Sequence, residues 1–144
     1  MKLYHYCIWL SLTLAVPAVS AWGSEEEQIV ERELIIDVIK TQIEAFRTDD
    51  VLTAFMQASP GVKRNLITAE NFINMVRYHY TAVYRPQSVT YLEMEVAEPY
   101  RVQHLMIIGP EGYGWDAYFV MEQQSDGRWT IGGVHLVKRD DIPV

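Results

Sequence analysis

An α+β fold, with three N-terminal helices packed on a curved four-stranded antiparallel meander sheet, is what the sequence predicts, and three observations predict it. Apolar residues recur with helical period from Ile29 to Phe46. After Pro86 the period changes to alternation, the mark of half-buried strands. Short clusters of Gly, Pro, Asp and Ser then punctuate the alternating half closely enough that only hairpins fit between them. Helices in one half and hairpins in the other make the layout in which helices cover one face of an antiparallel sheet.

The first helix follows from Ile36, Ile39, Ile43 and Phe46, widened by Ile29, Ile35 and Val38, with Glu33, Asp37, Lys40, Thr41 and Glu44 on the opposite side. Asp49 or Asp50 can cap a short second helix carrying Val51, Leu52, Phe55 and Met56, which Pro60 and Gly61 end. Thr68 is the expected N-cap of a third helix whose inner stripe is Phe72, Met75, Val76 and His79. Four strands follow, at about 88–97, 101–109, 113–123 and 128–138. Ile39, Phe46, Phe72, Phe119 and Ile131 are the expected core.

Turn lengths propose a register, and the register says which side chains share a face. Pairing Val96 with Val102, Ile108 with Tyr113 and Met121 with Trp129 puts Leu92, Met94, Val96, Val102, His104, Met106 and Ile108 inside. Trp115, Ala117, Phe119, Met121, Trp129, Ile131, Gly133 and His135 join them there. Tyr91, Glu93, Glu95, Gln103, Asp116, Tyr118, Glu122 and Thr130 fall outside, a mixture suited to water or to a second subunit. Ala117 and Gly133 then stand side by side, leaving a depression that His79 and Met75 either fill or leave open. Left open, it is a small pocket lined by His79, Met94, His104, Met106, Trp115 and His135.

The N-terminus reads as an export signal. Lys2 precedes an apolar stretch from Cys7 to Val16, Pro17 breaks it, and Val19-Ser20-Ala21 suits a signal peptidase. The stretch is about a dozen residues, short of the roughly 20 that span a bilayer. The domain boundaries are therefore a signal peptide at 1–21, an acidic mature N-terminus at 22–28 and one α+β domain at 29–144, in a periplasmic or secreted protein. Cys7 is the only cysteine. Its loss with the leader leaves no thiol for a disulfide, a nucleophile or a Cys-type zinc site. Net charge is −7 and becomes one unit more negative without Lys2. With no Lys/Arg stripe, nucleic acid and anionic membrane are excluded as partners.

Three histidines remain, His79, His104 and His135, and each is either a metal ligand, a general base or a hydrogen-bonded structural group. Strands two apart hold His104 and His135 roughly 10 Å from one another, too far for shared ligation, and no His-x-x-x-His spacing occurs. No metal and no cofactor is expected. Asp116 is either a general base beside Tyr113 and Tyr118 or a solvated strand carboxylate. Tyr78, Tyr80, Tyr84 and Arg85 either bind a ring or carboxylate or fasten the third helix to the first strand. No nucleophile elbow, phosphate loop or dinucleotide fingerprint is present.

Several segments together resemble an exported bacterial family, the domain of unknown function numbered 4864. They are Ala45-Phe46-Arg47-Thr48-Asp49-Asp50, Ala58-Ser59-Pro60, Glu70-Asn71-Phe72, Val83-Tyr84-Arg85-Pro86, Gly109-Pro110-Glu111-Gly112 with Trp115, and Asp126-Gly127-Arg128-Trp129. The resemblance implies a cystatin-like architecture, the cone shared with ketosteroid-isomerase-like and nuclear-transport-factor-like domains, and no activity. Such domains usually carry a strand before the third helix, whereas residues 60–68 show no strand pattern, so no catalytic position is transferred. The expected function is a non-enzymatic binding module for a small apolar ligand or a protein partner. The alternatives are a small isomerase-like or hydrolase-like enzyme using Asp116 or a histidine as base, and a structural subunit forming a homodimer through the outer sheet face.

Overall fold

The structure is a computed structural model that describes residues 22–140. The expected leader, 1–21, lies outside the described residues. The order is helices first and strands second: α1 (Trp22–Arg47), α2 (Val51–Met56), α3 (Pro60–Leu66), α4 (Ala69–His79) and α5 (Thr81–Tyr84), then β1 (Ser88–Ala97), β2 (Tyr100–Ile108), β3 (Gly114–Gln123) and β4 (Trp129–Lys138). The strands form one antiparallel sheet in the order β1-β2-β3-β4.

α1 starts seven residues before the expected Ile29. Its buried stripe is Ile35, Ile39, Gln42, Ile43, Ala45 and Phe46, while Ile36 is half-buried and Ile29, Val30 and Leu34 are exposed. The helix ends where Asp49 takes a left-handed backbone (φ 55°). Asp50 N–H then reaches back to Ala45 O (2.8 Å) and Asp49 N–H to Phe46 O (3.3 Å), the two bonds that satisfy a helix's last carbonyls when the next residue is left-handed. Asp50 at once caps α2, accepting from Thr53 N–H.

Two helices exceed the three expected. Pro60 and Gly61 do not merely end α2; Ser59 accepts from Val62 N–H and Pro60 takes the first helical position, opening α3. Proline suits that position because its missing N–H would have no partner there. The connection before it docks on the edge of β4: Ser59 N–H donates to Ile131 O and Ile131 N–H to Gln57 O, both at 2.8 Å, in one parallel bridge at Ala58. The short α5 completes the helix layer.

The sheet departs from the expected register in three places. Ile108 pairs with Gly114, not Tyr113, because the β2–β3 loop holds five residues, closed by Gly109 N–H to Tyr113 O with Gly112 at φ 87°. That one-residue change inverts β2: Gln103, Leu105 and Ile107 are fully buried, and Val102, His104, Met106 and Ile108 turn outward. β1 carries an irregularity between Tyr91 and Met94, after which Val96 pairs with Arg101. In β4 the pairing shifts between Ile131, opposite Met121, and Gly133, opposite Val120. Gly132 is the extra residue of a bulge. Trp129 and Ile131 face inward as expected, but beyond the bulge Val134 and Leu136 pack on the core while Gly133 and His135 leave it.

The core lies between sheet and helices. Ile39, Phe46, Phe72, Phe119 and Ile131 are all buried there, and so is Ala117. Phe46 stacks with Phe72 at 6.0 Å between centroids and meets Tyr84 at 5.8 Å, while Phe55 meets Phe72 at 5.5 Å.

Candidate functional site

Where α3 and α4 lean over β4, the core opens into a cleft of about 310 Å³. Five parts of the chain build it. α1 supplies Gln42 and Phe46; Ala58 and the α3 residues Val62, Asn65 and Leu66 form one wall; Phe72, Met75 and Val76 of α4 form another, continued by Tyr80 and Val83; Ile131, Gly132, Gly133 and Val134 make the floor. The bulge puts two glycines there in succession, so the floor is bare backbone. The lining is mostly apolar and carries no ionisable acid or base other than the Tyr80 phenol. Its polar amides are Gln42, which is 3 % exposed, and Asn65, which is exposed at the rim.

The cleft is not the pocket drawn from the sequence. None of His79, Met94, His104, Met106, Trp115 and His135 lines it. Met94 and Trp115 do pack against the core. His79 is exposed at the end of α4, its ring edge-on to Tyr78 at 4.9 Å, because the buried stripe of that helix runs through Phe72, Ile73 and Val76. His104, Met106 and His135 stand on the outer sheet face, the first two through the inversion of β2 and the third through the bulge. Two features of the expected depression survive in another place: Gly133 and Met75 both line the cleft, but Ala117 is not beside Gly133.

On the outer face His104 and Asp116 come together. His104 Nδ1 lies 3.0 Å from Glu93 Oε1 and Nε2 lies 2.7 Å from Asp116 Oδ1, while Arg139 Nε is 3.6 Å from Asp116 Oδ2. The row alternates acid and base across β1, β2 and β3 to Arg139, the residue after β4. Tyr118 stacks on the imidazole at 4.6 Å and 12°. Burial pushes the His104 proton affinity down, but the hydrogen bonds to Glu93 and Asp116, with their charges, outweigh it and leave the pKa raised. The His104 hydrogen bond in turn holds Glu93 below the ordinary carboxylate value. As an imidazolium, His104 donates both N–H groups and keeps no lone pair with which to accept a proton from a substrate.

The aromatic and cationic cluster is tied into the scaffold. Tyr84 is buried and its hydroxyl donates to Asp49 Oδ1 at 2.6 Å; Arg77 Nε donates to the same hydroxyl at 2.9 Å and Arg85 to Asp49 at 2.8 Å. Arg85 also donates to Phe46 O at the end of α1 and lies over the Tyr84 ring at 4.0 Å. Hydrogen bonds from Tyr84 and Arg85 lower the Asp49 pKa. The cluster thus fastens α5 to the turn between α1 and α2. Among the described residues no group of three or more acids and histidines is placed to hold a metal ion, and no helix is long and apolar enough to cross a membrane.

Sequence reasoning misses the cleft because its walls come from α3, where Pro60 and Gly61 read only as the end of the second helix, and from a bulge that alternation does not announce. The signals that could have found them are Ser59-Pro60, an N-cap followed by a first-turn proline, and the pair Gly132-Gly133 inside a strand pattern.

Comparison with known proteins agrees with the family resemblance. The family model described as Domain of unknown function (DUF4864) matches residues 29–143, and the chain belongs to that family. No curated protein and no solved structure matches it.

Proposed function

We propose that this member of the family is an exported, non-enzymatic binding module that holds a small apolar molecule in the cleft between α3, α4 and β4. The observation that carries the reading is the cleft itself: about 310 Å³ of space walled by Phe46, Val62, Leu66, Phe72, Met75 and Val76. Binding sites are characteristically concave and apolar with a few placed polar groups, and this volume stands at the lower end of their range. Helices followed by a four-stranded antiparallel meander support a scaffold of the cystatin-like, nuclear-transport-factor-like kind. The Lys2, apolar stretch and Val19-Ser20-Ala21 arrangement supports export to the periplasm or beyond. On the outer face both ring nitrogens of His104 are engaged, by Glu93 and Asp116, and neither is open to a substrate, which weighs against the enzymatic alternative.

The test is a titration with the small, neutral fluorophore 1-aminonaphthalene, followed at the blue edge of its emission. Its emission should rise and saturate at one equivalent per chain. Met75→Trp, which fills the cleft, should abolish the rise and leave the denaturant midpoint within about 1 kcal/mol of wild type, since the new ring enters existing space. Absence of any rise, or an equal rise in the variant, refutes the reading.

A further inference from the structure

Gln42 lies in the wall of the cleft with only 3 % of its surface exposed, and its amide is half used. Nε2 donates to Ala54 O at 3.1 Å. A carbonyl can only accept, so that bond fixes which end of the amide faces α2 and leaves Oε1 as the free end. No hydrogen-bond donor of the described residues reaches Oε1. A ligand that fills the cleft would take that oxygen out of water, and an acceptor so buried calls for a donor from the ligand.

The charge of that partner is constrained by what surrounds it. No Lys, Arg, His, Asp or Glu lines the cleft. Beneath the floor, the carboxylate of Glu122 lies against Gly132. A ligand carboxylate would be desolvated with no cation to meet it and an anion close by, and an ammonium would lose its water for a single neutral amide. Size is constrained as well. At interior packing density, about 310 Å³ holds roughly a dozen non-hydrogen atoms.

Resting on the cleft as the binding site, we infer that its ligand is an uncharged, largely hydrocarbon molecule bearing one hydroxyl, a phenol or an alcohol, whose O–H donates to Gln42 Oε1. The hydrocarbon part contacts Phe46, Phe72, Met75 and Val76. The hydroxyl gives specificity, because a ligand without a donor leaves the buried oxygen unpaired.

Three probes of one shape test this: para-pentylphenol, its methyl ether, and para-pentylbenzoate at a pH where it is ionised. Binding is followed by amide chemical shifts of Asn65, Gly132 and Gly133 in the isotope-labelled protein. The phenol should bind about tenfold or more tighter than the ether, and the benzoate weakest of the three. Gln42→Met should bring the phenol down to the affinity of the ether while leaving the ether unchanged. Equal affinities of phenol and ether in the wild-type protein, or tightest binding by the benzoate, overturn the inference while the cleft remains a binding site. Failure of all three probes to shift those amides overturns the proposed function and the inference together. The wild-type comparison needs no variant, so instability of Gln42→Met would not spare the inference.

Discussion

At the scale of single residues, His104 shows how one side chain on a sheet surface can carry a pH dependence. Its pKa is raised from the ordinary 6.5 by Glu93 and Asp116, against the opposing effect of burial, and Arg139 balances the far oxygen of Asp116. A group whose pKa is higher in the folded state binds its proton more tightly there, so folding gains from protonation. That contribution is complete below about pH 6.5 and is lost as pH rises through the elevated value. The urea midpoint of the wild-type protein should therefore fall between pH 6 and 8 relative to that of His104→Gln, whose own profile lacks this component. Below pH 6 the substitution should cost about 1–3 kcal/mol, because it withdraws a charged donor from Asp116 and Glu93. Parallel profiles for the two proteins would show that the row does not couple to folding. Gln42 is the other residue that matters at this scale. Its identity was plain in the first helix, but a glutamine on a helix shows no exceptional role until Ala54 occupies its amide nitrogen.

At the scale of elements, β2 is the instructive case. Leu105, Met106, Ile107 and Ile108 are apolar without interruption, so either phase of alternation gives a hydrophobic face. Only the loop length chooses between them, and five residues in place of four reverse the strand. The consequence can be measured with two neighbours of similar size. Leu105→Ala should cost about 2–5 kcal/mol, the range for removing a fully buried side chain, whereas Met106→Ala, on the half-exposed outer face, should cost under about 1.5 kcal/mol. A larger loss at Met106 than at Leu105 in denaturant titrations would restore the opposite facing. β4 shows a second limit of alternation. Its first half obeys the expected pattern through Trp129 and Ile131, and its second half does not, since the Gly132 bulge resets the phase. The bulge sits beside the bridge that engages both backbone groups of Ile131 with Gln57 and Ser59. A pair of glycines offers little resistance to that local bend.

Across the whole molecule, stability is concentrated away from the first turns of α1. No residue before Ile35 is fully buried among those with described exposure, and Glu31 and Arg32 are tied to Arg101 and to Leu92 O on the sheet. Removing residues 1–27 should accordingly change the denaturant midpoint by less than about 0.5 kcal/mol, the usual reach of surface changes. A loss of several kcal/mol would mean that the exposed start of the helix has a partner in solution. The sequence by itself determined that helices precede strands, the family, a cap at Asp49 or Asp50 and one at Thr68, and the five-residue core of Ile39, Phe46, Phe72, Phe119 and Ile131. These rest on local periodicity, capping chemistry and recurring segments, all of which a linear chain displays. The tertiary structure alone decided the facing of β2, the turn of His135 outward, and the cleft walled by α3, α4 and β4. Each depends on a one-residue loop difference, a bulge or the meeting of segments distant in the chain. A period of two in the sequence cannot record such choices, because a slip of one residue exchanges the two faces without altering the alternation.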